Sequence, residues 1–376
     1  MPDSIVITGI GIITPLSASP HAVLDRIARG DCAAAAPEDF STEAFACPHC
    51  ARVQGFRPQD HIREPKLARL MNRDAQFAVA AARPAREDAK LTVGETYLPE
   101  TIAVYGAAGM AGLPLTEVLP LLRASVSDTG EFDPARFGRE GLRTVNPLLS
   151  FKILGNMPLC FVSICENLRG PNAIYTPWEG QGARAIEAGV EALLAGDAEC
   201  ALVGGCDVKT HELAFLGLQH EGCFRSWTET GAGPVPGEGA AFLLLETEAR
   251  AHARGARIHA CLDAFAFRTR RPADTTAEIC AALWQGLNLR GPLAAVVAAA
   301  NGTPALEQAE QQALADHGIR PTVTLAPKKH TGDLFAGAAT LQLALAAVLA
   351  ARGEGRVLAH CLGHGSEQAA FLLSPP

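Results

Sequence analysis

The chain has 376 residues, 48% hydrophobic and 19% charged, which supplies apolar material for a sizeable core and argues against disorder. Its formal net charge of −8 lacks the basic excess of a nucleic-acid binder, so no nucleic-acid partner is expected. No apolar run reaches the length of about eighteen residues that a membrane span needs, so no membrane partner is expected either.

The opening MPDSIVITGIGIITP has no basic region ahead of a long apolar segment, so it is not read as a signal peptide and a cytoplasmic location is expected. Ile5 to Ile7 read as a buried strand, with Gly9 and Gly11 turning the chain after it. Residues 21–30 have the spacing of an amphipathic helix, and 32–65 read as a covering loop region. The 11 cysteines are an odd count in mostly apolar settings, as expected of small buried hydrophobes. Cys47 and Cys50 form a C-x-x-C pair. Zinc would need two further ligands, and only His49 and His61 stand near, so the pair is read as part of a surface loop and no metal is expected.

Leu67 to Ala82 is predicted helical, with Pro84 as its stop. Ile102 to Tyr105 reads as a buried strand before the small-residue stretch 106–109, and 145–168 as a helix. Residues 180–195 form the clearest amphipathic helix, ended by Gly196-Asp197. Glu199 to Val203 and Ala240 to Glu246 read as strands, 274–289 as a helix, and Leu293 to Ala299 as a strand. Asn301-Gly302-Thr303 turns into another helix. Residues 336–351 form an Ala-rich apolar helix, and Val357 to Cys361 and Ala369 to Leu373 close the chain as strands. Strands alternate with helices through both halves, and the strands are near-continuously apolar. That pattern predicts α/β layers with sheets covered on both faces. A duplicated core fits the pattern, although no convincing internal sequence repeat is visible and no linker composition divides the chain.

Six stretches in order carry a resemblance: IVITGIGIITPL at the start, LRGPN at 168–172, EALLAGDAECALVGGCD at 191–207, GPVPGEGAAFLLLE at 233–246, NGTPALEQAE at 301–310 and PKKHTGDLFAGAAT at 327–340. Together they resemble β-ketoacyl synthases of the thiolase-like superfamily. The resemblance implies a layered α/β/α/β/α fold with a duplicated core, one compact unit whose halves are 1–249 and 250–376. It calls for no cofactor. In that family a cysteine at the N-terminus of a buried helix is the nucleophile, and the helix dipole favours its thiolate. Two histidines stabilise the oxyanion and enolate, and a lysine supports one of them.

Counted from either flank, the nucleophile position is Glu179. A carboxylate is a poor acyl acceptor, because an anhydride is less stable than the thioester it would replace. At a helix N-terminus it suits a cap or a buried polar plug instead. The first histidine position is Asn301, which donates a hydrogen bond but carries no proton charge. The second is Asp333, whose negative charge would repel a developing enolate. Lys328 aligns with the supporting lysine and is left to pair with Glu179, Asp333 or Glu310, the last matching a family carboxylate. His330 is offset from the histidine position and reads as an ordinary histidine.

No catalytic residue is therefore expected. The joint loss resembles the chain-length factors of type II polyketide synthases, which form a heterodimer with an active ketosynthase that acyl carrier protein serves. Many carry glutamine where this chain has Glu179, and Gln181 does not align there without a gap. The resemblance implies that Met110, Leu113, Leu115 and Thr116 line the end of a tunnel for an aromatic or polyene chain, with ordinary interface packing as the alternative reading. Helix 145–168, with Asn156 and Met157, is expected near the partner. The loop from Phe224 to Gly233 is short for the family. Two alternatives stand beside this reading: a decarboxylase or acyltransferase working through Glu179, His330 or a nearby cysteine, and a purely structural ketosynthase partner.

Overall fold

The computed structural model describes residues 4–109, 113–289 and 292–376. Ten strands form one continuous sheet. The first five are β1 (Ile5–Ile13), β2 (Ile102–Ala108), β3 (Asn172–Tyr175), β4 (Cys200–Val208) and β5 (Glu238–Thr247). The second five are β6 (Ala260–Thr269), β7 (Ala295–Val297), β8 (Val323–Leu325), β9 (Val357–Cys361) and β10 (Glu367–Ser374). Their order across the sheet is β8-β7-β9-β10-β6-β1-β5-β4-β2-β3.

The two sets share one connectivity. In each, the first strand is antiparallel to the last, and the last is antiparallel to the fourth. The fourth is parallel to the second, which is parallel to the third. The sets join where Ile5–Ile7 of β1 run antiparallel to Ala260–Leu262 of β6. The duplication is therefore plain in topology while the sequence hides it, because strand pairing constrains apolar pattern more than residue identity.

Five layers result. Helices α2 (Arg73–Asp88) and α4 (Met157–Glu166) cover the outer face of the first set. Helices α5 (Glu179–Ala195) and α11 (Ala338–Ala350) lie between the sets and touch strands of both. Helices α8 (Thr276–Gly286) and α9 (Pro304–Asp316) cover the second set. Every residue of α11 is buried, as its unbroken apolar sequence demands. Of the helices not yet placed, α1 (Pro20–Ala28) packs on α11 and β1, α3 (Leu115–Ala124) follows β2, α6 (Glu212–His220) and α7 (Arg225–Thr230) follow β4, and α10 (Pro327–Thr331) follows β8.

Several sequence expectations are corrected. Strand β1 does not stop at Ile7: Gly9 and Gly11 lie inside it and let α2 approach. A Cβ on either glycine would sit 2.0 Å from the carbonyl oxygen of Ala85 or Ala81. Helix α2 begins at Arg73, where the Asn72 side chain accepts from the Ala75 N–H at 3.0 Å, and it runs through Pro84 to Asp88. Burial of Ala81, Ala82 and Ala85 against β1 and β5 outweighs the hydrogen bond that proline cannot donate. Residues 145–168 are not one helix. A short turn at Pro147–Leu149 and a short helix at Ser150–Ile153 precede α4, with a 90° bend between. Pro158 then falls in the first turn of α4, where its missing N–H costs nothing. The segment after Phe224 is helical as α7 rather than a loop. Among the described residues no single helix is long and apolar enough to cross a membrane.

Candidate functional site

Glu179 is the first residue of α5, after Trp178 at the N-cap position, and is 1% exposed. Apart from its own N–H, its partners lie across the site rather than along its helix. Lys328, on α10, places Nζ 3.6 Å from Glu179 Oε1 and 3.0 Å from Asp333 Oδ2, and donates to the Leu362 carbonyl at 3.0 Å. Asp333 is fully buried and its Oδ1 accepts from the Phe335 N–H at 2.9 Å, which tightens the turn leading into α11. The ammonium thus sits between two carboxylates. Burial pushes the Glu179 carboxyl up, but Lys328 and His364 outweigh it and hold the group well below the usual carboxylate range. Burial raises Asp333, with the Glu179 charge adding to the rise and Lys328 opposing it. Lys328 is held above its ordinary value, burial notwithstanding, by Asp333 and Glu179.

His364 is the residue that sequence reasoning missed. It stands in the turn Gly363-His364-Gly365 between β9 and β10. Its backbone N–H donates to Glu179 Oε2 at 3.1 Å, and its Nδ1 lies 3.2 Å from Glu179 Oε1. Desolvation lowers this histidine, yet Cys223 and Glu179 carry it well above its ordinary value. Trp178 and Phe335 flank the ring with centroids at 6.1 and 5.8 Å. A histidine between two glycines just past a strand was the only signal in the sequence. Its partner is 185 positions away.

The other predicted positions separate. Asn301 is buried and its Oδ1 accepts from the Thr303 N–H at 3.1 Å, closing its own turn. Glu310 does not reach for Lys328. It accepts from the Ala299 and Ala300 N–H groups at 3.0 and 3.2 Å and lies 2.6 Å from His360 Nδ1, whose other nitrogen meets the Trp284 indole. His330 turns its Nδ1 to the Asp31 carbonyl, 2.7 Å away. Cys47 and Cys50 are buried rather than on a surface loop, packed near Phe215 and Phe224, and burial pushes their thiols up to about 12 and about 11. His49 faces Trp227 and His61 stacks on Phe56, so neither completes a ligand set with them. Among the described residues, Glu179, Asp333 and His364 are the one group whose ligand atoms converge within metal reach, and the Lys328 ammonium already supplies a cation to two of them.

Of the tunnel candidates, Met110 lies outside the described residues. Leu113 is 6% exposed and borders two cavities. One, of about 520 Å³, also meets Arg52, Arg73, Lys152 and Glu238. The other, of about 360 Å³, reaches from Leu113 to Trp178, Leu218 and Glu221. Leu115 is half-buried and Thr116 exposed at the start of α3, and neither borders these cavities.

Residues 2–251 match the family described as "Beta-ketoacyl synthase, N-terminal domain". The chain belongs to the β-ketoacyl synthase family. It is 27% identical over 266 residues to the 3-oxoacyl-[acyl-carrier-protein] synthase 2 of Staphylococcus aureus (strain COL), a match spanning 68% of this chain and 60% of that protein. It is 26% identical over 362 residues to the synthase of the same name from Vibrio cholerae serotype O1, covering 90% and 84% of the two chains. The ishigamide ketosynthase/chain length factor superposes over 100% of both chains with a TM-score of 0.81 and 22% identity, which is a likeness of fold. The start of α5 in this chain presents the Glu179 carboxylate, faced by an ammonium and an imidazole.

Proposed function

We propose that this chain is a non-condensing subunit that pairs with an active ketosynthase and acts as its chain-length factor in type II polyketide assembly. The observation that carries the reading is the Glu179–Lys328–Asp333 network. A group meant to attack a thioester must be free to move into the substrate. Glu179 is instead buried and engaged by Lys328 and by both the backbone and the ring of His364. Asn301 closes its own turn, and Asp333 brings negative charge where an oxyanion would need donors.

The surface supports a partner. Among the described residues, strand β3 pairs only with β2 and lies at the edge of the sheet. Phe151, Ile153, Leu154 and Ile164, on the bent segment ahead of and within α4, are 38%, 46%, 50% and 58% exposed, an apolar strip of the kind that partners cover. The cavity from Leu113 to Trp178 supports a length-setting role, since a wall of fixed bulk discriminates by about 1–3 kcal/mol per methylene-sized mismatch. Carrier protein reaches the assembly through the ketosynthase partner.

Co-expression with a ketosynthase encoded beside this chain tests the reading. A one-to-one heterodimer that makes a product of defined length is expected, with no carbon dioxide released by the isolated chain from malonyl-carrier protein. Release of carbon dioxide by the isolated chain, or its failure to associate with any ketosynthase, overturns the proposal.

A further inference from the structure

His211 is the N-cap residue of α6. Its Nδ1 accepts from the Ala214 N–H at 3.2 Å, which places the ring proton on Nε2. Burial, with the Lys209 and Arg52 charges nearby, lowers the imidazole to about 4, so near neutral pH the ring is uncharged and Nε2–H is its one donor. That nitrogen is sealed from solvent and has no partner among the described residues. A buried donor without an acceptor is costly, and a ligand that brings an acceptor removes the cost.

Two residues, Leu113 and His211, border both the cavity of about 520 Å³ and the cavity of about 360 Å³, so the orphan N–H belongs to their common wall. The other cations of these cavities are already matched. Arg52 lies 2.8 Å from Asp39, Arg73 2.6 Å from Glu238, Lys152 2.9 Å from Glu117 and Lys209 2.7 Å from Asp207. An anion entering here would have to break one of those pairs, whereas a neutral carbonyl oxygen needs only an N–H. The smaller cavity also presents Pro177, Trp178, Leu213 and Leu218, apolar surface that suits the carbon chain on either side of such an oxygen.

We propose that His211 is a specificity-determining residue whose Nε2–H binds a ketone oxygen, so that these cavities take a chain with unreduced keto groups in preference to a hydrocarbon or polyene chain. That the ketone belongs to a growing polyketide rests on the subunit reading above; recognition of a ketone by this wall does not. A polyene offers no acceptor, leaves the imidazole donor unpaired and binds more weakly, by about 10-fold for one hydrogen bond. Leu113 limits a chain by bulk, and His211 selects for what the chain carries at that point.

The test titrates the full chain with 2-nonanone, reading affinity by calorimetry and the ketone stretch by infrared difference spectroscopy. In the unaltered chain the stretch of the bound ketone should fall below its value in hexane, as a hydrogen-bonded carbonyl requires. Two variants separate the donor from the cap. Glutamine keeps a donor where Nε2 stands and loses the acceptor at Nδ1, and asparagine does the reverse. His211→Gln should therefore keep the lowered stretch although its helix is less well capped. His211→Asn should keep the stability of the chain, lose the shift and bind 2-nonanone about 10-fold more weakly. No binding or no shift in the unaltered chain, unchanged affinity in His211→Asn, or equal loss in both variants overturns the proposal. Association with a ketosynthase is read separately. A chain that associates but does not hold 2-nonanone through His211 loses this inference alone, and one that holds it but associates with no ketosynthase loses the subunit reading alone.

Discussion

Gly363 passes so close to Glu179 that a Cβ on it would stand 2.1 Å from the carboxyl carbon. No side chain fits there while Glu179 keeps its place. Gly363→Ala is expected to destabilise the chain by about 1–3 kcal/mol through overpacking. In a Glu179→Ala background the added cost should shrink, and urea denaturation of the four proteins in that cycle measures the difference.

Lys328 neutralises two buried carboxylates, so removing it leaves both uncompensated. Lys328→Met should cost about 3–5 kcal/mol, and adding Glu179→Gln should recover part of the loss. Equal stability of the single and double variants in denaturant would contradict the pairing seen here.

Restoring a thiol at the helix start is not expected to restore condensation. Glu179→Cys leaves Asn301 and Asp333 in place, and neither offers the charge or the proton transfer that the oxyanion requires. Radiolabelled malonyl and acyl carrier proteins should give no β-ketoacyl product with this variant alone.

Asp74 makes stability depend on pH. Its carboxyl, 3% exposed, is pushed up to about 8 by burial and by the nearby Asp207 charge, although Lys209 opposes the rise. A raised folded value means that the folded chain holds a proton which the unfolded chain has released. The stabilisation is therefore full below the ordinary value of 3.8 and is lost as pH rises toward 8. The slope should be no steeper than about 1.4 kcal/mol per pH unit. Asp74→Asn should flatten it, as unfolding curves at pH 5, 6.5 and 8 will show.

Leu113 borders both cavities, so its bulk should be read out in product length. In complex with a ketosynthase, Leu113→Ala should shift products longer and Leu113→Phe shorter, as measured by mass spectrometry of released chains.

The layered plan was legible because long apolar runs such as Val357–Cys361 and Ala338–Ala350 bury on all sides whatever their neighbours. The edge strands β3 and β8 were not, because each has only three or four residues and exists through one neighbouring ladder. Pro84 misled because local propensity is weaker than the close packing of α2 on Gly9 and Gly11. Pro84→Ala should accordingly leave α2 in place and raise stability, by up to about 3 kcal/mol on thermal or urea denaturation. At the site, Glu179, Lys328 and Asp333 were found by counting along the family pattern. Their meeting with His364 was not, since it depends on a turn moulded by two glycines.

The strand repeat has an electrostatic corollary. Glu179 comes from the first set of elements, while Lys328, Asp333 and His364 come from the second. With all four ionised, the first set brings one negative charge to the common boundary and the second a net single positive charge. Either set alone would carry a buried charge that only the other can cancel. The two repeats are thus locked as anion and cation, and the chain is expected to melt as one cooperative body rather than as two.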